Sequence, residues 1–233
     1  WTARMRISKP SKPTLKKWLL VNTKINLLKE LKTIPQRYSE AIENLQLDSN
    51  GLDLFLPENL ESELEKDKNY IGFCPGAQHF TKRWPKEYFI ELGNILTKNN
   101  YQVVLFGGKS DKEICSEISD SIEDCINLQN ENELFKIASG MKKCKLIITN
   151  DTGLMHVAAA MNVPVISIFG SSVKEFGFVP YNVKSKILEN NSINCRPCSH
   201  IGKSECPKKH FKCMKEINAK YVFDQIKSFI ASL

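Results

Sequence analysis

The chain has 233 residues, of which 42% are hydrophobic, and it carries a formal net charge of +7. This apolar content is enough for a proper core and excludes global disorder. No apolar run approaches about 20 residues, so no membrane-spanning helix is expected, and no apolar run follows the basic N-terminus as a signal peptide requires. The positive charge suits anionic partners such as nucleotides, phosphorylated glycans, nucleic acid or an anionic membrane face, without choosing among them.

The first 69 residues carry weaker patterns than the rest of the chain. Residues 14–48 show helical hydrophobic spacing that is interrupted near Pro35, and they predict two or three helices. These helices have no obvious packing partner within their own stretch. Residues 49–69 are polar and acidic, with a short helix expected after Pro57, and are typical of a linker or domain edge.

From residue 70 onward, short apolar runs alternate with helical patterns. The predicted strands cover residues 70–74, 101–106, 125–128, 146–149, 165–169 and 184–189. The predicted helices cover residues 85–99, 111–120 and 133–141, a stretch that runs through the alanines at 158–160, and residues 215–232. This alternation predicts an α/β fold, a Rossmann-like parallel sheet with helices on both faces.

The stretch NDTGLMHVAAAMNVPVISIFGSS, residues 150–172, is the centre of this region, and a strand leads into its polar turn, helix and second strand. Asn150 and Asp151 offer side-chain oxygens that are expected to cap the helix. The turn places free helix N–H groups at the carboxyl end of a strand, where open parallel sheets bind ligands. We therefore predict that the turn holds the diphosphate of a nucleotide-sugar.

Side chains in this turn and the following helix supply the expected contacts. Asp151, Thr152 and Gly153 provide a cap and exposed amides for phosphate oxygens. Thr152 and His156 are four residues apart and share a helix face. His156 either supports the turn or reaches the sugar-phosphate; the alternative is a structural histidine with satisfied hydrogen bonds.

The loop PGAQHFTKRWP, residues 75–85, follows the first predicted strand of the sheet. Gly76 allows a tight turn and Gln78 is a hydrogen-bonding group. Lys82 and Arg83 lie just before a helix N-terminus, whose partial positive charge is about half an elementary charge, so the two sources together attract anions. The alternative is a basic surface loop that packs its tryptophan in the core.

The stretch FGGKSD, residues 106–111, follows the second strand. Gly107 and Gly108 permit the flat approach of a base or ribose, Asp111 can accept from a ribose hydroxyl, and Ser110 is expected to cap the next helix. The alternative is a simple strand-to-helix turn; the stretch matches neither a GxGxxG motif nor a P-loop. Because all three loops follow strands of one parallel sheet, we expect them to converge at one edge.

Four of the eight cysteines, Cys195, Cys198, Cys206 and Cys213, lie in a late loop, residues 195–213. Four thiolates can close a tetrahedral zinc site, which would be structural because no coordination position stays open. Free thiols and two disulfides are the alternatives, and the cysteine usage as a whole fits a reducing compartment. The loop is also basic, so an alternative function is a non-catalytic module that binds zinc and a polyanion.

Taken together, PGAQHFTKRWP, VVLFGG with its following acid, and NDTGLMHVAAAMNVPVISIFG resemble the ADP-heptose:lipopolysaccharide heptosyltransferase family, glycosyltransferase family 9. The cysteine loop is similar to a loop of some members. The resemblance covers residues 70–232 and implies the C-terminal, donor-binding half of a GT-B fold. Residues 1–69 would be a remnant of the N-terminal half and the interdomain connection, and residues 70–233 the nucleotide-sugar-binding domain. The chain begins with Trp1 rather than Met, which suggests a fragment, a processed product or a cropped sequence.

The resemblance implies an inverting transfer of heptose from ADP-heptose to the lipopolysaccharide core or a lipid-linked glycan. The expected donor-binding residues are Gly76, Gln78, Lys82, Gly107, Asp111, Asp151, Thr152, Gly153 and His156. Lys82 would bind donor phosphate and Asp111 the ribose, while the catalytic base would lie in the N-terminal half that has no match here. Another nucleotide-sugar transferase or epimerase of GT-B fold is the alternative.

No catalytic metal is expected, because the sequence contains no Asp-X-Asp pair to hold a divalent ion. The leaving charge would then be stabilised by Lys82 and the helix amides. The expected location is the cytoplasm, with peripheral contact at the inner membrane. Nucleic acid is not an expected partner.

Overall fold

A parallel sheet is the framework of the fold. The computed structural model describes residues 6–10, 12–28, 32–48, 50–66, 68–129 and 133–233. Within these ranges the strands are β1 (Tyr70–Cys74), β2 (Gln102–Leu105), β3 (Ile126–Asn127), β4 (Leu146–Asn150), β5 (Val165–Phe169) and β6 (Ser185–Glu189). All pairings are parallel, in the order β3-β2-β1-β4-β5-β6. The predicted α/β class and parallel sheet are confirmed.

Helices cover both faces of this sheet. In chain order, the helices of the described residues are α1 (Thr14–Thr23), α2 (Ile34–Ser39), α3 (Lys86–Thr97), α4 (Lys112–Ser119), α5 (Leu134–Met141), α6 (Gly153–Ala160), α7 (Lys212–Lys215) and α8 (Ala219–Ile230). The helices α3–α8 pack on the sheet, whereas α1 and α2 precede it. On one face, Phe73 packs in a cluster with Leu92 of α3 and Val222 of α8. On the other face, Val104 packs in a cluster with Ala158 of α6. All five side chains are fully buried, as period-2 alternation along strands between two helical layers requires.

The strand order creates a crevice between the loops that follow β1 and β4. The chain runs outward from β1 to β2 and β3, then crosses to β4 on the other side of β1. Cys74 at the end of β1 pairs in register with Thr149 of β4. Connections from these two neighbours leave in opposite directions, and open α/β sheets bind ligands at such a switch point. The loop 75–85 and the turn 151–153 therefore lie side by side.

The N-terminal helices dock on the loop that follows β5. Leu20 of α1 and Leu28 form a small buried cluster with Val173 and Phe176, which is the packing partner that their own stretch lacks. Pro35 lies in the first turn of α2, where proline is favoured, so it opens a helix and does not interrupt one.

Two further local predictions were wrong. The segment after Pro57 forms a turn closed by the N–H of Leu60 and the carbonyl of Pro57 at 3.1 Å, and not a short helix. Ser110 lies inside a 3₁₀ turn, Lys109–Asp111, that precedes α4, so it does not cap that helix. In the described part of the chain, no helix is both long and apolar enough to cross a membrane.

Candidate active site

A cavity of about 360 Å³ opens at the carboxyl edge of the sheet, and we call it the sheet-edge cavity. Its described lining comprises Gln78, His79, Lys82, Asp151, Thr152, Gly153, His156, Ser172, Val173, Phe176, Phe178, His200 and Ile201. Six of the nine expected donor-binding residues belong to this lining. The convergence expected for the loops after β1 and β4 is therefore present in the fold.

The first turn of α6 forms one wall of the cavity. Thr152 is the N-cap, and its hydroxyl accepts a hydrogen bond from the N–H of Leu154 at 3.2 Å. A Cβ built on Gly153 would meet no atom within 4 Å, so open space lies beside this turn. Unpaired N–H groups at a helix start carry partial positive charge and favour anions. The wall can therefore receive an anionic group.

Asn150 is not the helix cap that the sequence suggested. Its Oδ1 accepts from the N–H of Trp84 at 3.0 Å, and its Nδ2 donates to the carbonyl of Pro75 at 2.8 Å. The side chain is fully buried, where an unsatisfied polar group costs about 1–3 kcal/mol. Asn150 therefore fastens both ends of the loop 75–85 to β4.

Lys82 and Asp151 form a partly buried ion pair beside the start of α6. Lys82 ends a 3₁₀ turn, Phe80–Lys82, and its Nζ lies 2.7 Å from Oδ2 of Asp151. The lysine side chain is 17% exposed and the carboxylate 6%. Ser172 donates a second hydrogen bond to the same Oδ2. Asp151 thus holds the ammonium in place and does not act as the predicted cap.

His156 lies on the cavity side of α6, one turn beyond Thr152. Burial lowers the pKa of its imidazole; the Asp151 carboxylate opposes this shift and the Lys82 ammonium adds to it. Because the ordinary pKa of histidine is already below 7, the ring is neutral at pH 7. A neutral imidazole can donate one hydrogen bond and accept another.

Gly76, Gly107 and Asp111 are not among the described residues that line the cavity. The Asp111 Oδ2 accepts from the N–H of Gly108 at 3.0 Å. A Cβ built on Gly76 would lie 2.2 Å from the Asp111 carboxylate, so only glycine permits this close packing. In this arrangement Asp111 joins the loops after β1 and β2, and its ribose contact stays a prediction.

Sequence reasoning missed the part of the lining that comes from Ser172, Val173, Phe176, Phe178, His200 and Ile201. Ser172 follows β5, so the rule that loops after parallel strands share an edge could have identified it. No local signal indicates that the cysteine loop folds back to the site. That fold-back is fixed by Thr81, whose hydroxyl accepts from the N–H of Lys203 at 2.8 Å.

Arg196 fixes the backbone around Ser172 through hydrogen bonds. Its guanidinium is buried and donates to the carbonyls of Gly170 at 2.6 Å and Ser172 at 2.9 Å, and to Glu189 at 2.8 Å. Several charge-assisted bonds from one planar group hold a backbone segment firmly. Arg196 lies inside the cysteine loop, yet its contacts are structural rather than directed at a partner.

The cysteine loop does not assemble the predicted zinc site in this structure. All eight cysteines are free thiols, and no group of three or more His, Cys, Asp or Glu side chains in the described ranges is placed to hold a metal ion. Cys195 Sγ lies 3.8 Å from His210 Nε2, whereas Cys213 is buried with the core residues of α7. Burial raises the pKa of the Cys213 thiol to about 12.

A family model described as glycosyltransferase family 9 (heptosyltransferase) matches residues 2–209. The chain is 40% identical over 131 residues to lipopolysaccharide heptosyltransferase 2 of Escherichia coli (strain K12), covering 54% of this chain and 37% of the relative. It is 31% identical over 205 residues to lipooligosaccharide heptosyltransferase 2 of Campylobacter jejuni subsp. jejuni (serotype O:2), covering 83% of this chain and 63% of the relative.

The fold is similar to that of a solved structure, the E. coli ADP-heptose lps heptosyltransferase II. The TM-score is 0.60 and the identity 32%, with 73% of this chain and 49% of that chain covered. In these three comparisons the chain therefore spans between 37% and 63% of the length of the matched protein.

Proposed function

The chain belongs to glycosyltransferase family 9, and from that premise we propose that it supplies the donor-binding half of an inverting heptosyltransferase. The donor is ADP-heptose, and the acceptor is the lipopolysaccharide core or a related lipid-linked glycan. The names of the relatives support this substrate class. Residues 70–233 form the donor-binding domain, and residues 1–69 are the end of the other half and the connection to it.

The Lys82–Asp151 pair beside the start of α6 is the observation that carries the proposal. Transfer of the sugar leaves a nucleoside diphosphate, whose negative charge grows as the bond to the anomeric carbon breaks. An ammonium has three donors, so Lys82 can hold Asp151 with one and reach phosphate oxygens with the others. Together with the amides of α6, it gives a fixed positive environment for the leaving group.

His156 contributes as a neutral hydrogen-bonding group. Its lowered pKa keeps the ring uncharged near pH 7, so it can donate to a phosphate oxygen or exchange hydrogen bonds with sugar hydroxyls. A ring at this position orients the donor without adding a second full charge beside Lys82. Orientation of this kind lowers the entropic part of the barrier.

The catalytic base lies outside this chain in our proposal. Among the described lining residues of the sheet-edge cavity Asp151 is the one with a carboxylate, and it already accepts from Lys82 and Ser172. These two contacts engage the carboxylate in holding the Lys82 ammonium, so we do not assign it the proton of the acceptor. The acceptor hydroxyl therefore loses its proton to a group of the N-terminal half.

A structural zinc ion in the cysteine loop remains a separate proposal. It requires Cys195, Cys198, Cys206 and Cys213 to move closer than they are here, and metal binding can drive such a change because it stabilises the folded loop. Stoichiometric zinc in protein purified without added metal is the expected result. Protein that refolds and keeps its stability with no bound metal would contradict it.

The proposed location is the cytoplasm, with peripheral contact at the inner membrane and no nucleic-acid partner. The net charge of +7 suits an anionic membrane face. The lipid-linked acceptor requires the enzyme to work beside that surface.

The direct test is calorimetry with ADP and with UDP, each in the presence of a chelator. We expect ADP to bind without added metal, because Lys82 and the helix amides supply the positive charge. Absence of ADP binding, or binding that requires a divalent ion, would contradict the proposed donor site.

A further inference from the structure

A second cavity, of about 770 Å³, lies between the N-terminal helices and the cysteine loop, and we call it the basic cavity. Its described lining combines residues of α1 and α2 with Phe178 and residues of the cysteine loop, among them Lys17, Trp18, Tyr38, His200 and Lys203. The donor site does not account for it, because only Phe178 and His200 are shared between the two cavities.

The charge of this lining is one-sided. Six of its residues are cationic, namely Lys12, Lys17, Lys24, Arg37, Lys203 and Lys208, and none of the described lining residues is acidic. The nearest acid along α2 is Glu40, which pairs with Lys32 at 2.8 Å. A concave surface lined by one sign of charge raises the local concentration of the opposite ion.

Lys17 is held on the wall of the basic cavity by two neighbouring side chains. Its Nζ lies 2.8 Å from Nε2 of His200 and 5.5 Å from the ring centre of Phe178. Burial, together with the smaller effect of the Arg37 charge, lowers the pKa of the Lys17 ammonium to about 8. An anion placed here would therefore relieve an unfavourable grouping of positive charge.

Aromatic surface accompanies the charge. Trp18 of α1 is 57% exposed and Tyr38 of α2 is 59% exposed. Tryptophan and tyrosine combine an apolar ring with a polar N–H or O–H group. Such side chains on a cavity wall suit ligands that have both apolar faces and hydroxyl groups, such as sugar rings. The combination points to a charged carbohydrate rather than to a simple inorganic ion.

The two cavities adjoin one another. Phe178 and His200 line both, and the His200 ring stands edge-on to Phe176 of the sheet-edge cavity with 5.0 Å between ring centres. A ligand in the basic cavity would thus lie one side-chain layer from a donor bound beside Lys82.

We propose that the basic cavity binds the anionic glycan of the acceptor, a sugar chain that carries carboxylate or phosphate groups. The proposal rests on the proposed transferase function, since it assigns the second substrate of the same reaction. It gives the cysteine loop and α1–α2 a joint role as the wall that receives the acceptor's negative charges.

The test uses the water-soluble oligosaccharide released by deacylation of heptose-free lipopolysaccharide. Its binding is followed by calorimetry and by the fluorescence of Trp18, with Trp18→Phe identifying the local signal. The variant Lys12→Glu/Lys208→Glu reverses two exposed charges of the wall, and Lys98→Glu/Lys220→Glu makes the same change at exposed positions outside both cavities. Neutral maltoheptaose is the uncharged ligand control, and ADP is titrated into every variant.

We expect the cavity variant to bind the oligosaccharide about tenfold more weakly, because two exposed attractive charges become repulsive. ADP affinity and the control variant should stay unchanged. Equal oligosaccharide affinity in both double variants, equal binding of maltoheptaose, or no oligosaccharide binding while ADP still binds would overturn the acceptor site and leave the donor site standing. Absence of ADP binding to the unaltered chain would instead contradict the proposed transferase function, and the acceptor site that depends on it.

Discussion

The sheet edge and the N-terminal helices differ in how firmly the fold holds them. At the sheet edge, the fully buried Asn150 and Trp84 fix the loop before α3 through paired hydrogen bonds. The N-terminal helices are held by a small apolar cluster and leave large side chains in solvent, among them Leu15 at 69% and Trp18 at 57% exposed. The donor site is therefore built on the firmly held sheet edge. One wall of the basic cavity is instead formed by the N-terminal helices, which are held in place by their packing on the loop after β5.

The largest effect is expected when the framework loses a core residue. Trp84 is fully buried, and its indole N–H donates to the carbonyl of Ile217 at 2.6 Å. Trp84→Ala should lower the free energy of unfolding by about 3–5 kcal/mol, the range for large aromatic truncations. Urea denaturation followed by circular dichroism measures this change.

Trp18→Ala is the matched control, because it removes the same side chain from an exposed position. Its expected effect is within about 0.5 kcal/mol. Similar losses in the two variants would show that the N-terminal helices belong to the same cooperative core, and the contrast between the two regions would fail.

A smaller and more local effect is expected for Leu20→Ala. Leu20 is 5% exposed and packs against Val173 and Phe176, so its truncation should cost about 2 kcal/mol, the low end of the range for buried leucines. Hydrogen exchange should accelerate in α1 and stay unchanged in β1 and β4, because local opening can occur without global unfolding.

Leu15→Ala, an exposed position on the same helix, should leave exchange in α1 nearly unaltered. Equal acceleration of α1, β1 and β4 in the Leu20 variant would mean that the helices and the sheet open together. The account in which the sheet edge is held more firmly than the N-terminal helices would then be wrong.

The same contrast explains how much the sequence could predict. The strands β1 and β5 are buried on both faces, so they are marked by short apolar runs, and the predicted bounds of both agree with the structure. The position of Lys82 near Thr152 followed from the rule that loops after parallel strands share an edge. These predictions depend on local periodicity and on one general rule of topology.

The missed features depend on contacts between distant segments. In the structure Thr152 caps α6. Asn150 does not, because its side chain is hydrogen-bonded to partners 66 and 75 positions away. The approach of the cysteine loop to the site depends on Thr81 and Lys203, which are 122 positions apart. No periodic pattern encodes such pairings, so the basic cavity could not be predicted from the sequence.

The central claim is that Lys82 and the start of α6 form one seat for the donor diphosphate. It is tested most directly by titrating ADP, with chelator present, into the unaltered chain, Lys82→Ala and Lys86→Ala. Lys86 is a half-exposed lysine four positions away that pairs with Glu117 outside the cavity. We predict that Lys82→Ala weakens ADP binding by about 1.5–3 kcal/mol, or about 10- to 150-fold, while Lys86→Ala leaves it unchanged. An unchanged affinity in Lys82→Ala would contradict the claim.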